Sequence, residues 1–70
     1  MKTLRVGFAG YGVVGKLRRK YVDEHSSFTT VAVSDRKLKG HGFLEQSVKS
    51  FPDYKELLEE DLDVLFVCLS

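Results

Sequence analysis

The stretch that decides the reading is Gly10-Tyr11-Gly12-Val13-Val14-Gly15-Lys16-Leu17, GYGVVGKL. It follows an apolar run, Leu4 to Ala9 (LRVGFA), too short for a stable helix and best read as a buried strand. It opens a segment, Val13 to about His25, with helical periodicity. A strand that ends and a helix that begins within three residues needs backbone angles and close approaches that side chains obstruct. Glycine supplies both. Two phosphate-binding turns share this setting. One is G-x-G-x-x-G, matched by Gly10, Gly12 and Gly15. The other is G-x-x-x-x-G-K-[ST], which Gly10 to Lys16 satisfy until position 17, where Leu stands in place of the hydroxyl that binds Mg²⁺. Leu17 fits the inner face of a helix and cannot ligate a metal, so the first pattern is favoured.

In that pattern the first glycine makes the tight turn and the second lets the backbone approach a diphosphate. The third lets the helix pack closely on the strand. The free amides at the helix start, around Val13 and Val14, face the phosphates, assisted by the helix dipole. Tyr11 contributes mainly through its backbone. A lone G-x-G-x-x-G is a weak signal, and here a second feature strengthens it. Thr29 to Ser34 (TTVAVS) reads as a β-branched buried strand, and Asp35 follows it about twenty residues past Gly15. A carboxylate at that point accepts hydrogen bonds from the adenosine ribose of NAD and repels the 2′-phosphate of NADP. Arg36 tempers this preference, because it can stack on adenine or reach a 2′-phosphate. It is equally readable as a solvated loop residue.

Further along, Gly40 and Gly42 mark a loop, Phe43 to Gln46 fits a helical turn, and Ser47 to Phe51 an extended piece. Asp53, with Glu56 three residues on, reads as the capping box of an amphipathic helix, Tyr54 to Glu60, with Leu57 and Leu58 inward. Asp63 to Leu69 (DVLFVCL) is the most apolar segment and reads as a third strand covered on both faces. In the first helix Val14, Leu17, Tyr21 and Val22 are expected to face the core. Gly7 is expected to admit a closely packed helix. The expected architecture is α/β: a truncated, half Rossmann fold of three parallel strands in order 3-2-1, joined by right-handed crossovers.

Composition narrows the function classes. Seventy residues make one small domain at most, here expected to be the N-terminal half of a dinucleotide-binding domain, with 43% hydrophobic and 30% charged residues and a formal net charge of +1. The basic run Lys16, Arg18, Arg19, Lys20 is followed at once by Asp23 and Glu24, so a solvated helix face is expected and no nucleic acid. The single cysteine, Cys68, excludes an internal disulfide and lacks an evident base, so it reads as a small buried hydrophobe. No metal site is expected, and no apolar run approaches the ~18 residues of a membrane span. Arg5 interrupts the N-terminal apolar stretch before it forms a signal-peptide core, and a reducing cytoplasm is the default expectation. Val67-Cys68-Leu69-Ser70 ends abruptly after an apolar run, as a fragment or half-domain would.

With these residues in hand, the chain resembles the N-terminal part of the glucose–fructose oxidoreductase/inositol dehydrogenase family of NAD(P)-dependent oxidoreductases. LRVGFAGYGVVGK, TTVAVSDR and SFPDYKELLEEDLDVLFVCLS carry the resemblance, with a poor match between Lys37 and Val48. The glycine turn is shared with other dehydrogenases, whereas PDYKELLEE points more closely to this family. The resemblance implies that Gly10, Gly12 and Gly15 contact the diphosphate, Asp35 and Arg36 the adenosine ribose, and Leu69 and Ser70 the far ribose. It implies no catalytic residue among positions 1–70, since the family's Lys-Pro motif lies further on. The expected function is therefore the NAD(P)-binding portion of an oxidoreductase. The alternative is a non-enzymatic nucleotide-binding or self-associating module. A three-strand half-sheet would leave strand Leu4 to Ala9 as an apolar edge. From this a homodimer is expected, through that edge or by strand exchange.

Overall fold

The structure is a computed structural model that describes residues 3–45 and 47–68. Among them are five strands and two helices. Strand β1 (Leu4–Ala9) leads through the glycine turn into helix α1 (Val13–Asp23) and then strand β2 (Phe28–Ser34). A hairpin follows, β3 (Gly42–Glu45) and β4 (Val48–Phe51). The one-turn helix α2 (Tyr54–Leu57) and strand β5 (Val64–Val67) complete the described chain. The result is a mixed α/β fold with one mostly parallel sheet in the order β3-β4-β2-β1-β5. Four strands run parallel, and β3 pairs antiparallel with β4.

This corrects the expected order 3-2-1 of three strands. Ser47 to Phe51 supplies a further parallel strand, β4, beside β2. The last strand lies on the opposite side of β1, with Val6 opposite Val64 and Ala9 opposite Val67. Strand β1 is therefore interior, paired on both sides, and β5 forms one edge of the sheet. The reason lies in which face each helix covers. Side chains alternate across a strand. Val6 and Phe8 pack with Val22 of α1, whereas Ala9 packs with Leu57 of α2, so the two helices cover opposite faces. Parallel crossovers share one hand. A connection over the second face must then carry the chain back the other way, past β1, to the site of β5.

Phe8 of β1 is fully buried and stacks on Phe66 of β5 with ring centroids 5.3 Å apart, which ties the edge strand to the centre. Strand β5 is also fixed at its start. The Arg5 amide donates to Asp63 Oδ2 (2.8 Å), Arg5 Nε donates to the Asp61 carbonyl (2.6 Å), and the Asp63 amide donates to the Arg5 carbonyl (2.8 Å). Gly7 admits the second-face packing as expected. A Cβ there would lie 2.6 Å from Leu62 Cδ1 and 3.4 Å from Leu57 Cδ1.

Five local expectations change. Phe43 lies in β3, not in a helical turn, and Gln46 lies outside the described residues. Helix α2 ends at Leu57, leaving Leu58 exposed. Asp53 does cap it, through Oδ1 to the Lys55 amide (2.8 Å), but Glu56 pairs with His41 instead of completing a capping box. In α1 the sheet-facing line is Gly15, Arg19 and Val22, so Val14, Leu17 and Tyr21 are exposed. Strand β5 is covered on one face only: Val64 and Phe66 join the α1-side core, while Leu65 and Val67 are exposed.

Candidate functional site

At the carboxyl ends of the parallel strands lies a cleft of about 860 Å³. One wall is the glycine turn with the start of α1: Gly10, Gly12, Val13 and Val14. The facing wall carries Asp35, Arg36 and Lys37 after β2, and Pro52 to Lys55 after β4. Its position follows from topology. Strand β1 has β2 on one side and β5 on the other, and the chain leaves β1 in one direction only to return past it. Such a switch point opens a crevice at the strand ends.

The three glycines of the turn have three different reasons to be glycine. Gly10 has φ of +99°, which an L side chain rarely adopts. At Gly15 a Cβ would collide with the Gly10 carbonyl, so its absence lets α1 sit against the turn. Gly12, the N-cap of α1, has φ of −83°, and a Cβ built there meets no atom within 4 Å among the described residues. No contact among the described residues requires Gly12 to be glycine. Its bare α-carbon instead borders the cleft. Beside it the Val13 and Val14 amides belong to the first turn of α1, where no intrahelical acceptor exists, and Gly12 brings no side-chain cap. This is a cradle of unhindered backbone N–H groups with room before it.

Asp35 faces the same turn. Its Oδ2 accepts from the Tyr11 amide at 2.8 Å, and its Oδ1 accepts from the Lys37 amide at 2.9 Å. The Lys37 amide, reinforced by the Tyr11 amide and opposed by a smaller burial effect, holds this carboxyl below the usual carboxylate range. Asp35 is thus an anion at neutral pH, with lone pairs left over for hydroxyl donors in the cleft. The turn is further pinned by the Gly10 amide on the Ser34 carbonyl, the Asp35 amide on the Phe51 carbonyl and the Cys68 amide on the Ala9 carbonyl.

Of the ten residues singled out from the sequence as cofactor contacts, seven come together on the cleft: Gly10, Gly12, Val13, Val14, Asp35 and Arg36 in its lining, and Gly15 just behind it. Tyr11 does not line it. Its ring packs beside the α1-side core and its hydroxyl accepts from Arg19 Nη1 at 2.9 Å. Leu69 and Ser70 lie outside the described residues. Sequence reasoning missed Lys37 and the second segment of the facing wall, Pro52 to Lys55. A signal for it existed, since the two segments of that wall are built alike. Asp35-Arg36-Lys37 and Asp53-Tyr54-Lys55 each turn an Asp carboxylate onto the amide two residues on. Lys16, central to the triphosphate reading, does not line the cleft, and its ammonium lies 5.8 Å from the centre of the Tyr11 ring. Leu17 is exposed on the helix. Neither residue sits where a Mg²⁺-bound phosphate chain would need it.

No group of His, Cys, Asp and Glu among the described residues is arranged to hold a metal ion. No helix among them is long and apolar enough to cross a membrane. Comparison of the chain with protein-family models, with curated proteins and with solved structures gives no match. The functional reading rests on the fold and the cleft.

Proposed function

We propose that this chain is the cofactor-holding half of a Rossmann dinucleotide-binding domain from an NAD-linked oxidoreductase of the glucose–fructose oxidoreductase/inositol dehydrogenase type. The observation that carries the reading is Gly12, a residue whose lack of a side chain serves no contact among the described residues and opens onto the cleft between the α1 amides and Asp35. The parallel strands β4-β2-β1-β5 also follow the order 3-2-1-4 of that fold, which supports this use of the cleft. Val13 and Val14 donate amide hydrogens to the diphosphate, and the α1 dipole adds favourable potential. The Asp35 carboxylate accepts the adenosine ribose hydroxyls and disfavours a 2′-phosphate, so NAD is the preferred ligand. Arg36 and Lys37 at the rim give NADP a weaker foothold. When bound, the nicotinamide supplies the hydride chemistry. This stretch of chain supplies only binding and orientation, so it turns over no substrate by itself.

Titration of the chain with NAD, NADP, ADP-ribose and ATP·Mg²⁺ tests the proposal. NAD and ADP-ribose are expected to bind alike and better than NADP, and Asp35→Ala to erase the difference. Preferential binding of ATP·Mg²⁺ would restore the triphosphate reading and contradict this one.

A second reading, a self-associating module, is favoured by one observation: β5 is an edge strand with Leu65 and Val67 exposed. Two copies pairing along β5 would cover those side chains and the open backbone groups. Strand Leu4–Ala9 is paired on both sides and is not the free edge that was expected. Light scattering during size exclusion decides this reading. A dimer disrupted by Val67→Lys supports it, and a monomer at micromolar concentration with a cooperative melt rejects it.

A further inference from the structure

Helix α1 contains an oddity that nucleotide binding does not by itself explain. On its sheet-facing line, between Gly15 and Val22, stands Arg19, whose side chain is only 11% exposed. A chain this short has little core to spare, and that position would suit Val or Leu. A half-buried ion pair is a poor source of stability compared with an apolar side chain of similar size. The guanidinium is nevertheless fixed on all sides. Nη1 and Nη2 form a bidentate pair with Glu45 of β3 (2.6 and 3.0 Å), and Nε donates to Asp23 Oδ2 (3.0 Å). Asp23 is held in turn by the buried Thr30 hydroxyl of β2 at 2.7 Å. The remaining hydrogen bond, from Nη1 to the Tyr11 hydroxyl, goes to the phosphate turn itself.

Tyr11 is thereby held at both ends, its hydroxyl by Arg19 and its amide by Asp35. It stands between Gly10 and Gly12, two residues with unusually free backbones. A turn built for close approach to a ligand is soft for the same reason, and its amides must be kept in place by something outside it. Resting on the nucleotide reading above, we infer that Arg19 is a positioning residue for the glycine turn, clamping Tyr11 through its hydroxyl, with Glu45 of the β3–β4 hairpin holding the clamp. The network belongs to pre-organisation of the site rather than to stability. Glu45 is more than half exposed, so removing Arg19 leaves no buried carboxylate there without a partner.

The test uses the whole chain with NAD as the probe. Arg19→Met and Tyr11→Phe are each expected to weaken NAD binding about tenfold, the cost of one hydrogen bond to a charged group. Both are expected to keep the thermal midpoint of the unsubstituted chain. Arg19→Lys, which keeps the charge and loses the fork, is expected to restore little. The R19M/Y11F double variant is expected to lose no more than either single change, because both cut one connection. A tenfold loss in step with a fallen midpoint, losses that add in the double variant, or unchanged affinity in Tyr11→Phe would each overturn the inference. If Arg19→Met does not fold, Tyr11→Phe decides alone. If the unsubstituted chain takes no NAD at millimolar concentration, the nucleotide reading fails separately. Hydrogen exchange of the Gly10 and Tyr11 amides then decides the clamp: faster exchange in Tyr11→Phe at unchanged global stability upholds it, and unchanged exchange overturns it.

Discussion

At the scale of single residues, the three glycines separate structure from ligand. Gly15→Ala puts a methyl into the Gly10 carbonyl and is expected to destabilise the chain by about 1–3 kcal/mol, as overpacking against fixed backbone does. Gly12→Ala meets no atom of the described residues and is expected to cost less than about 1 kcal/mol. It should nevertheless weaken NAD binding at least about tenfold by keeping one amide from its phosphate. Thermal melts and titrations of the two variants check this crossed pattern. Asp35 makes a prediction in pH. Its carboxyl titrates below the ordinary aspartate value because the Lys37 and Tyr11 amides favour the anion. Its stabilising contribution is therefore complete above the unfolded value of about 3.9 and is lost as pH falls through the lower folded value. Asp35→Asn should flatten that part of the acid limb in melts recorded from neutral pH downward. Both the glycines and Asp35 were legible in the sequence, because backbone freedom and a strand-end carboxylate each leave a residue-type mark. Arg19 was not. A charged residue in a run of Lys and Arg reads as solvated, and only its tertiary contacts with Tyr11 and with Glu45 of β3 show otherwise.

At the scale of elements, what the sequence hid was contact beyond the local segment. In Val48 to Phe51 the buried Val48 and Ser50 alternate with an exposed Lys49 and a half-buried Phe51, and four residues of that kind do not announce a parallel strand. Helix α1 misleads in the opposite way. Val14, Leu17 and Tyr21 share a helical face, yet the helix turns Gly15, Arg19 and Val22 to the sheet because the glycine must meet the turn. Close approach at one residue sets the rotation of the whole helix and overrides its apolar stripe. Helix α2 shows how much one side chain can carry. It is a single turn, too short to be stable alone, and its anchor is the fully buried Leu57, which packs against Ala9 and Ala32. Leu57→Ala is expected to cost about 2–5 kcal/mol, against a total on the order of 3–5 kcal/mol for a core of this size. The variant should be largely unfolded at room temperature, by far-ultraviolet circular dichroism or chemical denaturation.

At the scale of the whole molecule, the decisive fact is that the sheet extends past β1 on both sides. Three strands ending at β1 would form a slab with no switch point, and the glycine turn would hang from its edge. With β5 in place the turn sits over the middle of a parallel sheet, and the strand ends on either side form the walls of one cleft. That arrangement converts a short glycine pattern into a site with depth, charge and a fixed direction. The second-face crossover that makes it is invisible to local periodicity, since it depends on which face α2 covers. The most direct test of the account is a titration of the ¹⁵N-labelled chain with NAD, followed amide by amide in nitrogen–proton correlation spectra. The account predicts that the largest shifts fall on Gly12, Val13, Val14 and Asp35, with smaller ones on Lys37 and Lys55. Shifts centred instead on the His41, Phe43 and Phe51 surface at the far side of β4, or no shifts at millimolar NAD, would contradict it.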